Sequence, residues 1–398
     1  MNSVVRQMWE QNTDVVMVDT GNSYEGLCEY VGGKYISYTD EHPITMNPFA
    51  IKREELNIEK IGFLKNLIML IWKGTQGEVT KTEDRLVEQV ITEYFDEYFV
   101  KKRIDNLSFN TFYEYSTVRI PDIIKENNLA GIDLAAYNYL WKDFYKGGSH
   151  ELTLNENLDT KLFDETFIVF EIDSIKDDPL LFPLVTLIIM DVFIQKMRIK
   201  KNRKVLVIEE AWKAIASPMM AEYIKYLYKT ARKFWASVGV VTQEIQDIVG
   251  SPIVKEAIIN NSDVVMLLDQ AKFRERFDEI KAILGLTDVD CKKIFTINRL
   301  ENKEGRSFFR EVFIRRGSVG AVFGVEEPHE CYMTYTTERA EKEALKLYKK
   351  ELQCDHQHAI EAYCRDWELS GISKSLPFAQ KVNQTGHVLH LTPHNQSE

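Results

Sequence analysis

The chain has 398 residues with ordinary apolar and aromatic content, which is length enough for two or more compact units. Its 61 acidic residues outweigh 50 basic ones, and the formal charge of -11 excludes a protein that grips nucleic acid with its whole surface, leaving only local basic patches. Five cysteines with no CxxC spacing exclude a disulfide framework and a zinc ribbon, and fit a reducing cytoplasm.

In chain order, the first residues, MNSVVRQMWEQN, lack the charged, apolar and small-residue regions of a secretory signal. Short apolar runs follow: DVVMV at 14–18, KYISY at 34–38, TFIVFE at 166–171, KVLVI at 204–208, SVGVV at 237–241 and DVVMLL at 263–268. Several are apolar on both faces, the pattern of strands inside a parallel sheet covered by helices. The spacers at 171–204 and 212–236 have helical length and period, so strand, helix, strand is the repeating unit.

From about 52 to 160 that rhythm stops and helix formers and aromatics take over, as in EDRLVEQVITEYFDEYFVKKR at 83–103, which predicts an inserted helical subdomain. The stretch LLFPLVTLIIMDVFI at 180–194 is broken by Pro183 and Asp191 and is shorter than the roughly 18–20 residues a bilayer requires, so it reads as a buried helix. After 270 come a charged helix, KFRERFDEIKAILGL, and then RSFFREVFIRRGSVGAVFGV at 306–325, where Gly317 and Gly320 can turn one strand onto its partner. The tail after 370, rich in Ser, Gln, Asn and His, reads as poorly ordered. The expected divisions are a first sheet segment at 1–51, the helical subdomain at 52–160, the rest of the sheet domain at 161–340, and C-terminal helices with a flexible tail at 341–398.

Chemistry concentrates at VLVIEEAW, residues 205–212, where a buried strand ends in two carboxylates. Inside a parallel α/β sheet this pair falls at the C-terminal edge, where ligands of such sheets bind. In a P-loop ATPase one carboxylate of such a pair orients magnesium through water and the next polarises the attacking water, which gives Glu209 the metal role and Glu210 the base role. The competing reading is a solvated strand end before a helix N-terminus, where acidic residues are favourable anyway. The next strand, SVGVVTQEIQDI, puts Thr242 and Gln243 at the same edge, where a glutamine can bond both the γ-phosphate and the lytic water; alone, Gln243 reads equally as a loop residue. Two other clusters read as ordinary surface. Cys354, His356, His358 and Cys364 match no metal-ligand spacing and read as solvated helix surface. The basic run QKMRIKKNRK at 195–204 reads as a helix end and its solvated turn, with contact to DNA or anionic lipid as the alternative.

The series VVMVDTGNSYEGLCEYVGGKYISY, PITMNPFA, VLVIEEAWKAIA, TARKFWASVGVVTQE and EAIINNSDVVMLLDQ resembles the TraG-type ATPases of conjugative transposons, within the conjugation and type IV secretion ATPases of the FtsK/HerA class. The likeness runs from the first residues to about 335 through several motifs in the right order. It implies an α/β, RecA-like P-loop NTPase sheet, mostly parallel, carrying the helical insertion and a late β-hairpin. It also implies ATP and Mg²⁺ as cofactors, a homo-hexamer with sites between subunits, partners among other type IV secretion and conjugation proteins, and a place at the cytoplasmic base of an inner-membrane secretion channel. By the same resemblance Asp19 matches an acidic residue after the strand beyond the P-loop helix, or is a turn-forming aspartate. Asn47, Pro48 and Phe49 match a diagnostic, structural NPF element. Arg232 matches a position from which an arginine could reach a neighbouring subunit's nucleotide, or is a basic residue at a helix C-terminus; Lys233, Arg274, Arg276, Arg315 and Arg316 are further candidates.

Two departures stand out. Glu209 occupies a position where the family usually has aspartate, so an intervening water would have to shift to keep the magnesium geometry. And the sequence contains no GxxxxGK(S/T), whose backbone amides and lysine cradle the phosphates. The nearest stretch, GGKY at 32–35, has Tyr35 where Ser or Thr belongs and enters a strand, so it reads as a turn. The expectation is therefore a fragment that begins just after its phosphate loop, inactive and without bound nucleotide when alone. The alternatives are a non-hydrolysing module that binds secretion components, and a DNA-pumping motor of the HerA/FtsK kind.

Overall fold

A computed structural model of the chain describes residues 1–75, 77–102, 106–157, 159–210, 218–242, 258–299 and 309–389. Its elements, in order, are α1 (Asn2–Glu10), β1 (Thr13–Asp19), α2 (Glu25–Tyr30), β2 (Lys34–Ser37), α3 (Ile58–Lys73), α4 (Lys81–Phe95), α5 (Phe109–Glu126), α6 (Leu134–Leu140) and α7 (Glu151–Asn155). There follow β3 (Phe167–Glu171), α8 (Leu181–Ile199), β4 (Arg203–Ile208), α9 (Pro218–Ala231), β5 (Ala236–Val240) and β6 (Val264–Leu267). The chain continues through α10 (Phe277–Leu284), α11 (Asp288–Ile294), β7 (Phe309–Arg316), β8 (Val319–Glu326), α12 (His329–Tyr335), α13 (Arg339–Leu352), α14 (His356–Leu369) and α15 (Ser375–Thr385). Among the described residues no helix is long and apolar enough to cross a membrane.

The chain folds as two compact units, one of residues 11–20 and 36–257, the other of residues 1–10, 21–35 and 258–398. The first holds a five-stranded sheet of order β2-β3-β1-β4-β5, in which β1 is parallel to both β3 and β4, and β4 to β5. All seven residues of β1 and all five of β3 are buried, as strands apolar on both faces should be. The apolar stretch expected as a buried helix is α8, buried around its circumference, with Pro183 tolerated in its first turn. The basic run at its end is less solvated than its composition predicts. Lys196 is fully buried, 3.0 Å from Asp14 and bonded to the carbonyl of Phe163, and Lys204 is buried with its ammonium on the carbonyl of Phe234. Two of the six basic residues in that run are thus internal braces of the sheet's N-terminal edge, which corrects the solvated reading.

Between β2 and β3 the described residues contain helices and no strand. Their core is aromatic: Phe49 is fully buried, stacked on Phe112 with centroids 4.6 Å apart and edge-on to Tyr94 at 5.8 Å. The amide of Asn47 donates to the carbonyl of Leu107, while its oxygen accepts from the N–H of Phe49, closing the turn that aims the phenyl ring inward. Asn-Pro-Phe thereby pins this helical layer. Thr80 and Glu83 form a reciprocal cap at the start of α4, with Lys73 2.5 Å from the Glu83 carboxylate.

The second unit contains the antiparallel sheet β6-β7-β8. Arg316 pairs with Val319, so Gly317 and Ser318 form the turn, and the φ of +59° at Gly317 supplies the left-handed residue that a two-residue hairpin needs at that position. Gly320 serves differently: a Cβ there would lie 2.4 Å from the Phe313 ring. The run DVVMLL, apolar enough to suggest a strand of the parallel sheet, instead gives β6, antiparallel to β7 and half exposed along its length. The tail expected to be poorly ordered carries α15, whose Phe378, Ala379 and Val382 are fully buried against a cluster that includes Tyr348, Tyr363 and Trp367. Within the same cluster Cys364 is buried, and the His356 side chain is only 12% exposed, 3.2 Å from Glu29, so the solvated reading of these two residues is also corrected. The helices α1 and α2 belong to this unit: Arg6 donates to the thiol of Cys331 at 2.9 Å, and Lys342 reaches Glu25 at 3.3 Å.

Candidate functional site at the carboxyl edge of the parallel sheet

Parallel pairing brings the ends of four neighbouring strands to one level. Asp19 lies opposite Glu171, Val18 lies opposite Ile208, and the N–H of Glu209 donates to the carbonyl of Val18 at 3.0 Å. The N–H of Ile172 donates to Asp19 and that of Val241 to Ile208, both at 2.9 Å, so β3, β1, β4 and β5 all end on the same edge. Asp19, Glu171, Glu209 and Glu210 therefore form an acidic rim, with Thr242 following β5 beside it. Asp19 is 1% exposed and Glu171 6%, while Glu209 and Glu210 are partly open. Carboxylates are kept this deep only where hydrogen bonds or a cation compensate the lost hydration. For Glu171 part of that compensation is the N–H of Asp173 at 2.8 Å.

Glu210 leaves the strand with φ +49°, in the left-handed region that an unbranched acidic residue adopts at some expense. Glu171 carries only a weak signal in the sequence. FIVFE is a buried strand ending in a carboxylate just as VLVIE is, but a single acid is a weaker signal than a pair.

The other expected residues lie elsewhere. Arg232 and Lys233 are exposed in the turn after α9, ahead of β5, where Lys204 pairs with Ala236 at the N-terminal edge of the sheet. A five-residue strand separates that edge from the acidic rim by about 16 Å, so within one chain Arg232 does not join Glu210. The guanidinium of Arg274 lies over the Phe295 ring at 4.7 Å, and Arg315 bonds the carbonyls of Gly317 and Leu284; Arg276 and Arg316 are exposed. Gln243 lies outside the described residues.

The rim's donor set suits the carboxylate half of a magnesium nucleotide site, since hard oxygen anions at a sheet edge can hold a hydrated divalent cation. The phosphate half has no counterpart in the sequence. Gly32, with φ +66°, and Gly33 turn the chain from α2 into β2, where Tyr35 donates to Asn22 at 2.8 Å, and no helix opens there to present amides to an anion. Among the described residues no three His, Cys, Asp or Glu side chains are grouped to hold a metal unaided.

A mostly parallel sheet sandwiched by helices, with acids at its carboxyl edge and a helical layer inserted between strands, defines the RecA-like class of P-loop ATPase folds. More narrowly, a model of the TraG P-loop domain matches residues 1–367, and the chain belongs to that family. It is 22% identical over 295 residues to Protein TraC of Escherichia coli (strain K12), a match covering 70% of this chain and 31% of TraC, so the chain spans about a third of that relative's length. Among solved structures, VirB4 of Thermoanaerobacter pseudethanolicus superposes with a TM-score of 0.63 at 19% identity, covering 84% of this chain and 87% of that one. The bacterial conjugative coupling protein TrwBdeltaN70, in complex with sulphate, superposes with a TM-score of 0.50 at 12% identity, covering 82% and 80%. At these identities the two structures establish the common fold.

Proposed function

We propose that this chain is the motor portion of a conjugation ATPase that couples ATP hydrolysis to conjugative DNA transfer or to assembly of the transfer channel. The observation that carries the reading is the acidic rim, with Glu209 and Glu210 at the end of a buried parallel strand in a member of the TraG P-loop domain family. In this proposal Mg²⁺-bound ATP supplies the phosphoryl group. Glu209 orients the metal through water, Glu210 takes a proton from the attacking water, Gln243 reports the γ-phosphate, and Asp19 lines the same edge. Arg232, on the opposite edge of its own sheet, serves a neighbouring subunit's nucleotide in a hexameric ring. Other secretion and conjugation proteins are the partners, at the cytoplasmic face of the inner membrane. The residues 52–160 form the inserted subdomain of this motor.

The decisive test supplies what the 398 residues do not contain. A longer chain with an in-frame GxxxxGK(S/T) ahead of Met1 should hydrolyse ATP, and Glu210→Gln should lower kcat by about a hundredfold or more while Mg²⁺-ATP still binds. Turnover that survives Glu210→Gln would remove Glu210 from the chemistry.

A further inference from the structure

The three-stranded sheet breaks the pattern by which an antiparallel sheet packs one face and turns polar residues to water on the other. Side chains alternate along each strand, so the pairing of Leu267 with Phe313 and of Phe313 with Val322 fixes which residues share a side. One side is packed. Phe309, Glu311 and Phe313 of β7 are buried, and a Cβ at Gly324 would lie 2.4 Å from the Phe309 ring, as one at Gly320 would from Phe313. On the other side Met266, Ile314 and Ala321 form one row, and Val264, Arg316 and Val319 the next.

That second side is open and apolar. Val319 is 72% exposed and Phe323 50%, both on β8, and Leu268, one residue past β6, is 68% exposed; Val264 and Met266 are nearly half exposed beside them. Single exposed apolar side chains are ordinary, but a contiguous set on one face marks a surface that something covers. Within the three strands only Arg310 and Arg316 are polar among the outward positions, and none of those positions is acidic.

The charge pattern selects the occupant. A second copy meeting this face with its own would set arginines against arginines. An anionic lipid surface instead offers acyl carbon to the apolar residues and phosphate oxygens to the guanidinium groups. The formal charge of -11 does not oppose this, because at physiological salt acids more than about 8 Å away are largely screened.

We propose that the open face of β6, β7 and β8 is the surface by which this chain rests on an anionic membrane, with Leu268, Val319 and Phe323 entering the acyl boundary and Arg316 on lipid phosphate. From the function proposed above it takes only the place at the inner membrane, and its test reads no turnover, so either can fail alone.

The test is co-sedimentation of the 398-residue chain with vesicles of phosphatidylcholine, alone or with about 30% phosphatidylglycerol, at about 150 mM salt. The anionic vesicles should bind about tenfold more tightly or better. Phe323→Asp should weaken that binding by about tenfold, and Leu268→Asp, outside the paired strand, should do the same without touching the ladder. Arg316→Glu should erase the preference for anionic lipid. No preference between the two vesicles, or anionic binding undiminished in both aspartate variants, overturns the proposal. So does self-association in sedimentation velocity that Phe323→Asp abolishes, which would assign the face to a second copy of the chain.

Discussion

At the scale of single residues, the carboxylates of the rim are readable because each ends a strand that is apolar on both faces. Glu209 and Glu210 announce themselves as a pair, Asp19 follows DVVMV, and Glu171 escapes notice only because it stands alone. The strain at Glu210 was not readable, since a positive φ leaves no mark on an acidic residue. It makes a prediction. Asparagine accepts the left-handed region more easily than glutamate, so Glu210→Asn should raise the unfolding free energy by about 0.5–1 kcal/mol in urea titrations. A loss of stability instead would mean that contacts of the glutamate side chain outweigh its backbone strain.

At the scale of elements, burial pattern predicted well where both faces are apolar and poorly where composition misleads. The strands β1, β3 and β4 and the helix α8 follow from uninterrupted apolar runs. DVVMLL opens with the same DVVM as the run in β1, yet β6 lies on the edge of an antiparallel sheet with β7 as its partner, because pairing partners are not written in a strand's own residues. The polar tail hides Phe378, Ala379 and Val382, spaced three and four residues along one face of α15, a periodicity that its Ser, Gln and Asn content obscures. Helix ends were more transparent, and the cap of α4 carries a pH signature. Burial pushes the Glu83 carboxyl up, but the Lys73 ammonium and the Thr80 N–H and hydroxyl outweigh it and hold the group below its ordinary 4.5. A carboxyl depressed on folding stabilises the fold above its unfolded pKa, and that contribution fades as pH falls through the lowered value. Glu83→Gln should therefore cost about 1–2 kcal/mol at pH 7, with the gap to the parent closing below about pH 4.5. A gap that is constant from pH 7 to pH 3 would contradict an ionised Glu83 in the cap.

At the scale of the molecule, affinity for DNA distinguishes the two motor roles proposed for this chain. A ring that only drives assembly has no need to hold DNA, whereas a DNA pump should show salt-dependent affinity. With a formal charge of -11, the isolated chain should bind duplex DNA no more tightly than about 10 µM at 150 mM salt, measured by fluorescence anisotropy. Submicromolar binding that falls steeply with added salt would favour the pumping role.

The division of the chain also has a temporal consequence. The contact of Arg6 with Cys331 spans 325 residues, and α2 meets α13 through the pairing of Glu25 with Lys342 across 317. On a ribosome adding about 5–20 residues per second, Arg6 emerges about 15–65 s before Cys331 exists. Until then the side of α1 that Cys331 meets is uncovered, and the yield of folded chain should depend on how quickly synthesis reaches the C-terminal bundle.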